Sequence, residues 1–356
     1  MEILDDYDLT SLNTFGVSAR TRYFTVLENE AQIPELFNSE IFKNNEKLFI
    51  GGGSNILFTK DWGGIVIQNK LMGIEIIKQD EENVWIKSMG GEVWHDLVLH
   101  AVEHGYWGIE NLSLVPGTVG AAPMQNIGAY GAELKDTLEN LEAYEIEIKD
   151  GKSEKRIFDN QECYFGYRES IFKNVVKGKY FITAITLKLS KKEKRNIEYK
   201  ILKNYLDEHK ITNPSLVEIS DAVCAIRRSK LPDPKVLGNA GSFFKNVFVS
   251  KVEIDRLTKD YPDMPYFEEE LTSPPTPLLN KERVEIKYKI PAGWLIEQCG
   301  FKGKRVGNVG MHEKQALVLV NYGGASGLEL YEFAKSVMDA VHEKFGLSIT
   351  KEVNLI

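Results

Sequence analysis

One uncharged segment constrains the fold of this chain more than any other part of the sequence. It reads Val115-Pro-Gly-Thr-Val-Gly-Ala-Ala-Pro-Met-Gln-Asn-Ile-Gly-Ala-Tyr-Gly131 and is called the 115–131 segment below. Its glycines and prolines make it too irregular for a helix or a strand. Glycine lets a backbone approach another molecule closely, and Gln125 and Asn126 add amide donors and acceptors. The segment therefore predicts contact with a flat ligand that has polar edges and a phosphate.

A second glycine-rich loop precedes this segment. The apolar residues 47–50 lead into Gly51-Gly52-Gly53-Ser54-Asn55, an arrangement that can turn backbone N–H groups toward phosphate oxygens. The loop is neither a Walker A loop nor a G-x-G-x-x-G motif. No long amphipathic helix follows it, so phosphate binding would depend on loop amides rather than on a helix dipole. Taken alone, the loop is slightly better explained as a tight turn between strands.

Composition and charge narrow the class of protein. The 356 residues are enough for two or three packed units. A net charge of -8 argues against a general nucleic-acid binder. The acidic start is no signal peptide, and no apolar run approaches membrane-spanning length. These features predict a cytoplasmic protein.

Residue types that bind metals are dispersed along the sequence. The three cysteines form no C-x-x-C pair, which fits a reducing compartment and gives no zinc site. Three histidines lie on one predicted helix, but spacings of five and four do not place them on one face. No metal site is predicted. The residues concerned are Cys163, Cys224, Cys299, His95, His100 and His104.

Hydrophobic periodicity predicts helices over 93–104, 216–230 and 328–345. Ser215 and Glu218 form a candidate capping box at the start of the second helix. Strand-like runs occur between the helices, so the pattern indicates a mixed α/β protein. The basic run 188–195 is interpreted as a linker and marks the main predicted domain boundary.

Two polar residues in the sequence are candidates for chemistry. Arg168, between aromatic residues in 163–172, could bind an anion, although a surface arginine at a strand end explains it at least as well. Ser242, in Gly238-Asn-Ala-Gly-Ser-Phe-Phe-Lys-Asn246, could present its hydroxyl at a reactive centre. This is not a G-x-S-x-G elbow, and a bulge in which Ser242 bonds to backbone is the alternative.

Taken together, the motifs resemble the UDP-N-acetylenolpyruvoylglucosamine reductase family, also called UDP-N-acetylmuramate dehydrogenase. These are FAD enzymes of bacterial peptidoglycan precursor synthesis. Phe-Gly-Tyr-Arg-Glu-Ser and the Tyr199 region resemble the type I branch of the family. The matching motifs follow the family's order and span nearly the whole chain: Asn13–Gly16, Gly51–Asn55, Val115–Gly120, Gln125–Gly131, Phe165–Ser170, Lys230–Pro234, Gly238–Asn246 and Glu352-Val353.

The resemblance implies a mixed α+β fold. An FAD-binding region of the p-cresol methylhydroxylase type, at about 17–190, would consist of two lobes, 1–70 and 71–195. A substrate-binding domain, 196–356, would follow, and its final strand, 349–356, would return to the active site. Because Gly51–Asn55 contains no histidine, we expect non-covalent FAD.

The resemblance also implies roles for individual residues. Arg168 and Glu352 would polarise the enolpyruvyl carboxylate of the substrate, and Ser242 would donate a proton. The expected FAD contacts are Gly51, Gly52, Gly53, Ser54, Asn55, Pro116, Gly117, Thr118, Gly120, Gln125, Asn126, Gly128, Ala129, Tyr130 and Gly131. The expected substrate contacts are Tyr199, Lys230, Asn246, Tyr266 and Gln315, of which Lys230 would also meet the nicotinamide cofactor. The family usually has arginine at the position of Asn354.

The implied reaction is NADPH-dependent reduction of UDP-N-acetylglucosamine enolpyruvate to UDP-N-acetylmuramate. Hydride would pass from NADPH to the flavin and then to C3 of the enolpyruvyl group, so negative charge would build on C2 and the carboxylate. Arginine supplies fixed positive charge for that step, and a positioned hydroxyl can protonate the enolate carbon. Such an enzyme would serve cell-wall biogenesis, cell shape and cell division. We expect a monomer that binds neither nucleic acid nor membrane.

Two other hypotheses fit the glycine loops. A different flavin oxidoreductase of the same FAD-binding superfamily would keep the loops but should lack the set Arg168, Ser242 and Glu352. A non-catalytic FAD-binding protein should have lost at least one of these groups. All three residues are present, which favours the reductase.

Overall fold

The protein forms two compact units that are interleaved along the chain. The computed structural model describes residues 1–147, 153–273 and 283–356. Unit 1 and unit 2 alternate in sequence, so the first part of the chain contributes to both. Unit 1 comprises Met1–Tyr7, Thr21–Gly52 and Gly63–Ser229, and unit 2 comprises Asp8–Arg20, Gly53–Trp62 and Lys230–Ile356.

The described residues contain twenty β-strands and eight α-helices. The strands are β1 Leu4–Asp8, β2 Arg20–Leu27, β3 Lys47–Ile50, β4 Ile56–Leu57, β5 Trp62–Asn69, β6 Ile74–Gln79, β7 Asn83–Met89, β8 Gly128–Ala129, β9 Ala132–Glu133, β10 Leu138–Glu145, β11 Lys155–Asp159, β12 Tyr180–Ser190, β13 Gly238–Ser242, β14 Val247–Val249, β15 Phe267–Ser273, β16 Arg283–Ile290, β17 Arg305–Val306, β18 Val309–Met311, β19 Val318–Asn321 and β20 Asn354–Leu355. The helices are α1 Gln32–Asn38, α2 Glu40–Asn44, α3 Trp94–Glu103, α4 Lys200–Glu208, α5 Leu216–Lys230, α6 Lys251–Asp260, α7 Ala292–Gln298 and α8 Gly327–Phe345.

Unit 1 is built on two sheets. An antiparallel sheet has the strand order β11-β10-β12-β7-β6, and a four-stranded sheet has the order β1-β2-β5-β3. β12 is almost continuously apolar or β-branched and buried, as expected of a central strand covered on both faces. Trp94, Leu97, Val98 and Ala101 lie at helical spacing on α3, and they join α4 and α5 in the main core of the unit.

Unit 2 contains an antiparallel sheet with the strand order β13-β19-β18-β17 and a three-stranded sheet with the order β14-β16-β15. α7 and α8 supply apolar side chains to its core. α8 opens with a capping box formed by Ser326 and Glu329, and it ends at Gly346, whose φ of 70° suits a residue without a Cβ. No helix in the described part of the chain is long and apolar enough to cross a membrane.

The structure confirms the three predicted helices as α3, α5 and α8. It also confirms the capping box of α5, because Ser215 Oγ accepts from the Glu218 N–H at 3.3 Å and the Ser215 N–H donates to Glu218 Oε2 at 2.8 Å. The predicted final strand 349–356 is wrong in extent. Lys351 bridges antiparallel to Phe244, whereas Asn354 and Leu355 pair parallel to β4. The chain changes partner between these residues, so no continuous ladder forms.

Candidate active site

Two glycine loops that are far apart in sequence meet in unit 1. A Cβ added to Gly51 would lie 1.9 Å from Thr118 Oγ1, and one added to Gly52 would lie 3.8 Å from the Gly117 Cα. A side chain at position 51 would therefore separate the loops. The close approach explains why glycine occupies that position, and it places Gly51 and Gly52 beside the start of the 115–131 segment.

The contact leaves backbone donors available. The N–H groups of Gly51, Gly52, Gly117 and Thr118 donate to no acceptor within the described ranges. The loops 51–55 and 115–131 contain no Asp or Glu that would repel an anion. Clustered backbone donors without nearby negative charge form a concave site for phosphate oxygens. The residues present thus fit the diphosphate of a dinucleotide such as FAD.

The 115–131 segment is more regular than predicted. Residues Val119–Gln125 form a 3-10 helix, so the prediction that the segment contains no helix is wrong for this part. Small residues permit the tight turn, and Pro123 lies inside it. The Gly120 N–H donates to Gly90 O at 2.9 Å, and a Cβ on Gly120 would lie 3.1 Å from that oxygen. This close packing fixes the segment against the turn at Gly90.

Asn126 fixes the 115–131 segment through buried hydrogen bonds of its side chain. It is fully buried and has a φ of 42°, a left-handed conformation that asparagine tolerates better than most residues. Its Nδ2 donates to Glu133 Oε2 at 2.9 Å and to Gly166 O at 3.1 Å, and its Oδ1 accepts from the Lys135 N–H at 3.0 Å. The side chain therefore links the segment to the turn that contains Arg168.

Arg168 lies in a tight turn of unit 1, between Gly166 and Glu169, which bridge to each other. The strand-end alternative is thus not what the structure shows. The φ of Arg168 is 55°, a strained value for a residue with a long side chain. Its Nη2 donates to Gly128 O at 2.6 Å, and Ser170 Oγ donates to Met124 O at 2.7 Å. The turn and its guanidinium are thus attached directly to the 115–131 segment.

Tyr199 lies beside the end of the same segment. Its ring is 43% exposed and meets the Tyr130 ring edge-on, with 5.7 Å between the ring centroids. Asn196 Nδ2 donates to Gly131 O at 2.9 Å, and Asn111 Nδ2 donates to Asn196 O at 2.7 Å. Unit 1 therefore places Tyr199 beside the 115–131 segment, to which Arg168 is also bonded. Burial raises the pKa of the Tyr130 hydroxyl above its ordinary value.

Ser242 and Glu352 lie close together in unit 2. Ser242 ends β13, after a bulge in the pairing with β19. The next residue, Phe243, accepts the Glu352 N–H at 2.7 Å on its carbonyl oxygen. Ser242 is half-buried, and its hydroxyl has no protein partner among the residues that the structure describes. The bulge of the alternative interpretation is present, but the hydroxyl is not bonded to backbone.

The remaining predicted substrate residues also belong to unit 2. Asn246 Oδ1 accepts the Ala292 N–H at 3.1 Å, at the start of α7. Gln315 Oε1 would lie 3.3 Å from a Cβ on Gly293, so it reaches the same end of α7. Lys230 is half-buried, and burial lowers the pKa of its ammonium group. Tyr266 is 45% exposed and contacts Tyr288 edge-on.

Asn354 stands at the position where the resemblance described above leads us to expect an arginine. Its Nδ2 and its backbone N–H both donate to Asn55 O, at 3.1 Å and 3.0 Å. A neutral amide thus links the last strand to the second glycine loop, within unit 2.

Sequence reasoning missed two residues that bond to Leu114, the residue immediately before the 115–131 segment. His95 Nδ1 accepts the Leu114 N–H at 3.0 Å, and Arg227 Nε donates to Leu114 O at 3.1 Å. The only available signal was that Arg227 interrupts the apolar face of α5. No group of three or more His, Cys, Asp or Glu residues in the described ranges could hold a metal.

Comparison with known proteins identifies both parts of the chain. Residues 22–155 match a family described as FAD binding domain, and residues 233–356 match UDP-N-acetylenolpyruvoylglucosamine reductase, C-terminal domain. Curated proteins named UDP-N-acetylenolpyruvoylglucosamine reductase match over 96% to 100% of their own length. The one from Flavobacterium johnsoniae is 46% identical over 357 residues, covering 100% of both chains. The one from Chromobacterium violaceum is 41% identical over 347 residues, covering 98% of this chain and 97% of the relative.

Solved structures agree on the fold. The UDP-N-acetylenolpyruvylglucosamine reductase from Thermus caldophilus superimposes with a TM-score of 0.64 at 21% identity, covering 99% of this chain and 98% of that one. A solvent-stable cholesterol oxidase gives a TM-score of 0.50 at 11% identity, covering 98% of this chain and 86% of that one. These two likenesses confirm the predicted α+β FAD-binding fold. Membership of the family implies FAD and NADPH as cofactors, and an oxidoreductase in peptidoglycan precursor synthesis. Full-length identity above 40% with enzymes of one name shows that the chain belongs to the UDP-N-acetylenolpyruvoylglucosamine reductase family.

Proposed function

We propose that this chain reduces UDP-N-acetylglucosamine enolpyruvate to UDP-N-acetylmuramate, with NADPH as reductant and non-covalently bound FAD as the hydride carrier. The observation that carries the proposal is the meeting of two glycine loops whose backbone N–H groups have no protein acceptor in the described part of the chain. Family membership supports the choice of substrate.

The backbone donors of unit 1 would hold the FAD diphosphate. N–H groups are offered by Gly51, Gly52, Gly117 and Thr118, and the 115–131 segment beside them contains no charged residue. FAD held there would supply the transfer of a hydride from NADPH to the enolpyruvyl group. Ser54, Asn55, Pro116, Gly120, Gln125, Asn126, Gly128, Ala129, Tyr130 and Gly131 complete the proposed set; Asn126 acts by fixing the segment, because its amide is already bonded within the protein.

Arg168 stabilises negative charge on the substrate carboxylate. Its strained turn and its bond to Gly128 O hold the guanidinium in one place before substrate binds. A cation that is already in place needs little reorganisation when negative charge develops on the substrate. Such preorganised electrostatic stabilisation of the transition state is the largest contribution to catalysis in many enzymes. Glu352 is proposed to act with Arg168 on the same carboxylate.

Ser242 donates the proton that completes the reduction at C2. Its Oγ is half-buried, and the peptide backbone on either side of it is paired. A hydroxyl fixed in this way can serve as a general acid toward a strongly basic carbon. A serine nucleophile would require an adjacent base, and no histidine is hydrogen-bonded to Ser242 within the described residues.

The remaining proposed contacts bind the rest of the substrate. Tyr199 is largely exposed beside the 115–131 segment, and Asn246 and Gln315 converge on the start of α7. Lys230 and Tyr266 complete the proposed set, with Lys230 also meeting NADPH. A cytoplasmic, monomeric state without nucleic acid or membrane contact stays a prediction, as do the domain ranges 1–70, 71–195 and 196–356.

The flavin content and the NADPH oxidase activity of the purified protein test the proposed function. The protein should be yellow, and acid precipitation should release the flavin if it is not covalently attached. NADPH absorbance should fall only when UDP-N-acetylglucosamine enolpyruvate is present, and UDP-N-acetylmuramate should form in equal amount. A yellow protein that oxidises NADPH equally well without this substrate would refute the proposed function.

A further inference from the structure

Leu114, the residue immediately before the 115–131 segment, has an unusual backbone. Its φ is 58°, a left-handed value that a leucine adopts only at a cost in free energy. Such a conformation persists when surrounding contacts impose it. The direction in which the 115–131 segment leaves Leu114 depends on this turn, so whatever holds Leu114 also sets the position of the segment.

Two side chains form hydrogen bonds with the backbone of Leu114, one as an acceptor and the other as a donor. His95 Nδ1 accepts its N–H at 3.0 Å, and Arg227 Nε donates to its carbonyl oxygen at 3.1 Å. The guanidinium of Arg227 also interacts electrostatically with the hydroxyl of Tyr130, near the other end of the segment. We call Leu114, His95 and Arg227 the Leu114 clamp.

The start of α3 adds bonds that do not titrate. Trp94 Nε1 donates to Leu112 O at 3.1 Å, and the Trp94 N–H donates to Gly117 O at 3.0 Å. Among these contacts only the His95 bond depends on a group that titrates near neutral pH. Nδ1 can accept the Leu114 N–H only in neutral imidazole, because in the imidazolium form Nδ1 carries its own hydrogen.

We propose that His95 and Arg227 are positioning residues for the flavin, which hold the 115–131 segment through Leu114, and that protonation of His95 releases this hold. The inference rests on the proposed flavin site. It assigns a function to a histidine that contacts neither substrate nor flavin in the proposed chemistry. It also explains why an arginine interrupts the apolar face of α5.

The surroundings of His95 favour its neutral form. Burial lowers the pKa of His95 below its ordinary value of 6.5; Asp96, on its own helix, opposes this, and Arg228 and Arg227, on α5, add to it. Because the neutral form makes the bond, the hold is complete above the ordinary pKa. It is lost as the pH falls through the lowered pKa of the folded protein.

The test measures FAD release from the holoenzyme between pH 5 and pH 8, followed by flavin fluorescence after dilution. Loss of one neutral hydrogen bond should raise the dissociation rate of wild-type FAD roughly three- to tenfold at the acidic end. His95→Asn should release FAD slowly with no acidic rise, because the amide Oδ1 lies near the position of Nδ1 and does not titrate. His95→Ala should release FAD at the raised rate throughout.

Two further variants complete the design. Arg227→Lys keeps the charge but loses the Nε donor, so it should raise the rate at every pH and leave the acidic rise in place. His104→Asn is the matched control. His104 lies just after α3, its Nδ1 lies 2.8 Å from His100 O, and its ring packs on His100 and Tyr106 rather than bonding to Leu114. This control should reproduce the wild-type profile.

The outcomes separate the clamp from the flavin site itself. An acidic rise of equal size in His95→Asn and wild type would overturn the clamp, as would wild-type release from His95→Ala at pH 8. Absence of flavin from the wild-type protein would instead refute the proposed function. In that case the clamp can still be tested without flavin, from the ¹⁵N NMR resonances of protein labelled at histidine. A hydrogen on His95 Nδ1 at pH 8 would contradict the clamp.

Discussion

The 115–131 segment of unit 1 and the 238–246 segment of unit 2 look alike in sequence and are held in different ways. Both are rich in small residues and contain a buried asparagine. The 238–246 segment is bonded mainly through its backbone: it pairs with β19, and the N–H groups of Phe243 and Lys245 donate to Leu317 O and Thr350 O at 2.7 Å and 2.8 Å.

The 115–131 segment depends much more on side chains from elsewhere. Ser170 Oγ donates to Met124 O at 2.7 Å, Asn111 Nδ2 to Tyr130 O at 2.8 Å and Asn196 Nδ2 to Gly131 O at 2.9 Å. The difference follows from what each segment must present. A segment that offers its backbone N–H groups to a cofactor cannot also use them in a sheet, whereas one that offers a single hydroxyl can pair its backbone fully.

The largest expected effect is that of Ser242→Ala. Removal of a general acid should slow reoxidation of reduced flavin by the substrate by about 10²- to 10⁴-fold. Because the backbone holds the 238–246 segment, stability should be nearly unchanged, and flavin reduction by NADPH should keep its rate. Stopped-flow absorbance of the two half-reactions checks this. Equal slowing of both half-reactions would contradict the role of Ser242.

Gly128→Ala tests the side-chain bonding of the 115–131 segment. An added Cβ would lie 2.9 Å from Arg168 Nη1, so the guanidinium must move. A displacement of about 1 Å can lower turnover by about 10²-fold, and we expect a loss of that size in kcat with FAD retained. Gly63→Ala is the control, since an added Cβ there meets nothing within 4 Å. Normal turnover in Gly128→Ala would show that the Arg168 position is not set by this segment.

The two buried asparagines allow a matched comparison. Asn126→Asp loses the donors to Gly166 O and Glu133, and Asn239→Asp loses the donors to Pro232 O and Leu237 O. Each change should lower the free energy of unfolding by about 1–3 kcal/mol, measured by urea denaturation. Only Asn126→Asp should also lower kcat, because Gly166 belongs to the Arg168 turn. A similar loss of kcat in Asn239→Asp would remove the distinction between the segments.

Sequence reasoning predicted the parts of this site and not their connections. The helices α3, α5 and α8 followed from periodicity and capping residues, which are local properties of the chain. The family was predicted because eight motifs occurred in order. The clamp was not predictable, because the bonds of Leu114 to His95 and Arg227 span 19 and 113 positions. The left-handed turn at Leu114 also has no signal, since leucine does not favour that conformation.

The smallest expected effect is that of substituting Asn354. This residue lies close in sequence to Glu352, whose backbone is bonded to the 238–246 segment. Its exposed side chain donates to Asn55 O at 3.1 Å, a bond parallel to one from its own backbone. Asn354→Ala should therefore lower the free energy of unfolding by only about 0.5–1 kcal/mol. Turnover should change little, because the backbone bonds of Asn354 and Glu352 remain. Urea denaturation and kcat measure the two quantities, with Asn38→Ala, another exposed asparagine whose Nδ2 donates to a backbone carbonyl, as the control. A large loss of kcat would show that the Asn354 side chain positions Glu352, and the 238–246 region would then depend on side chains as the 115–131 segment does.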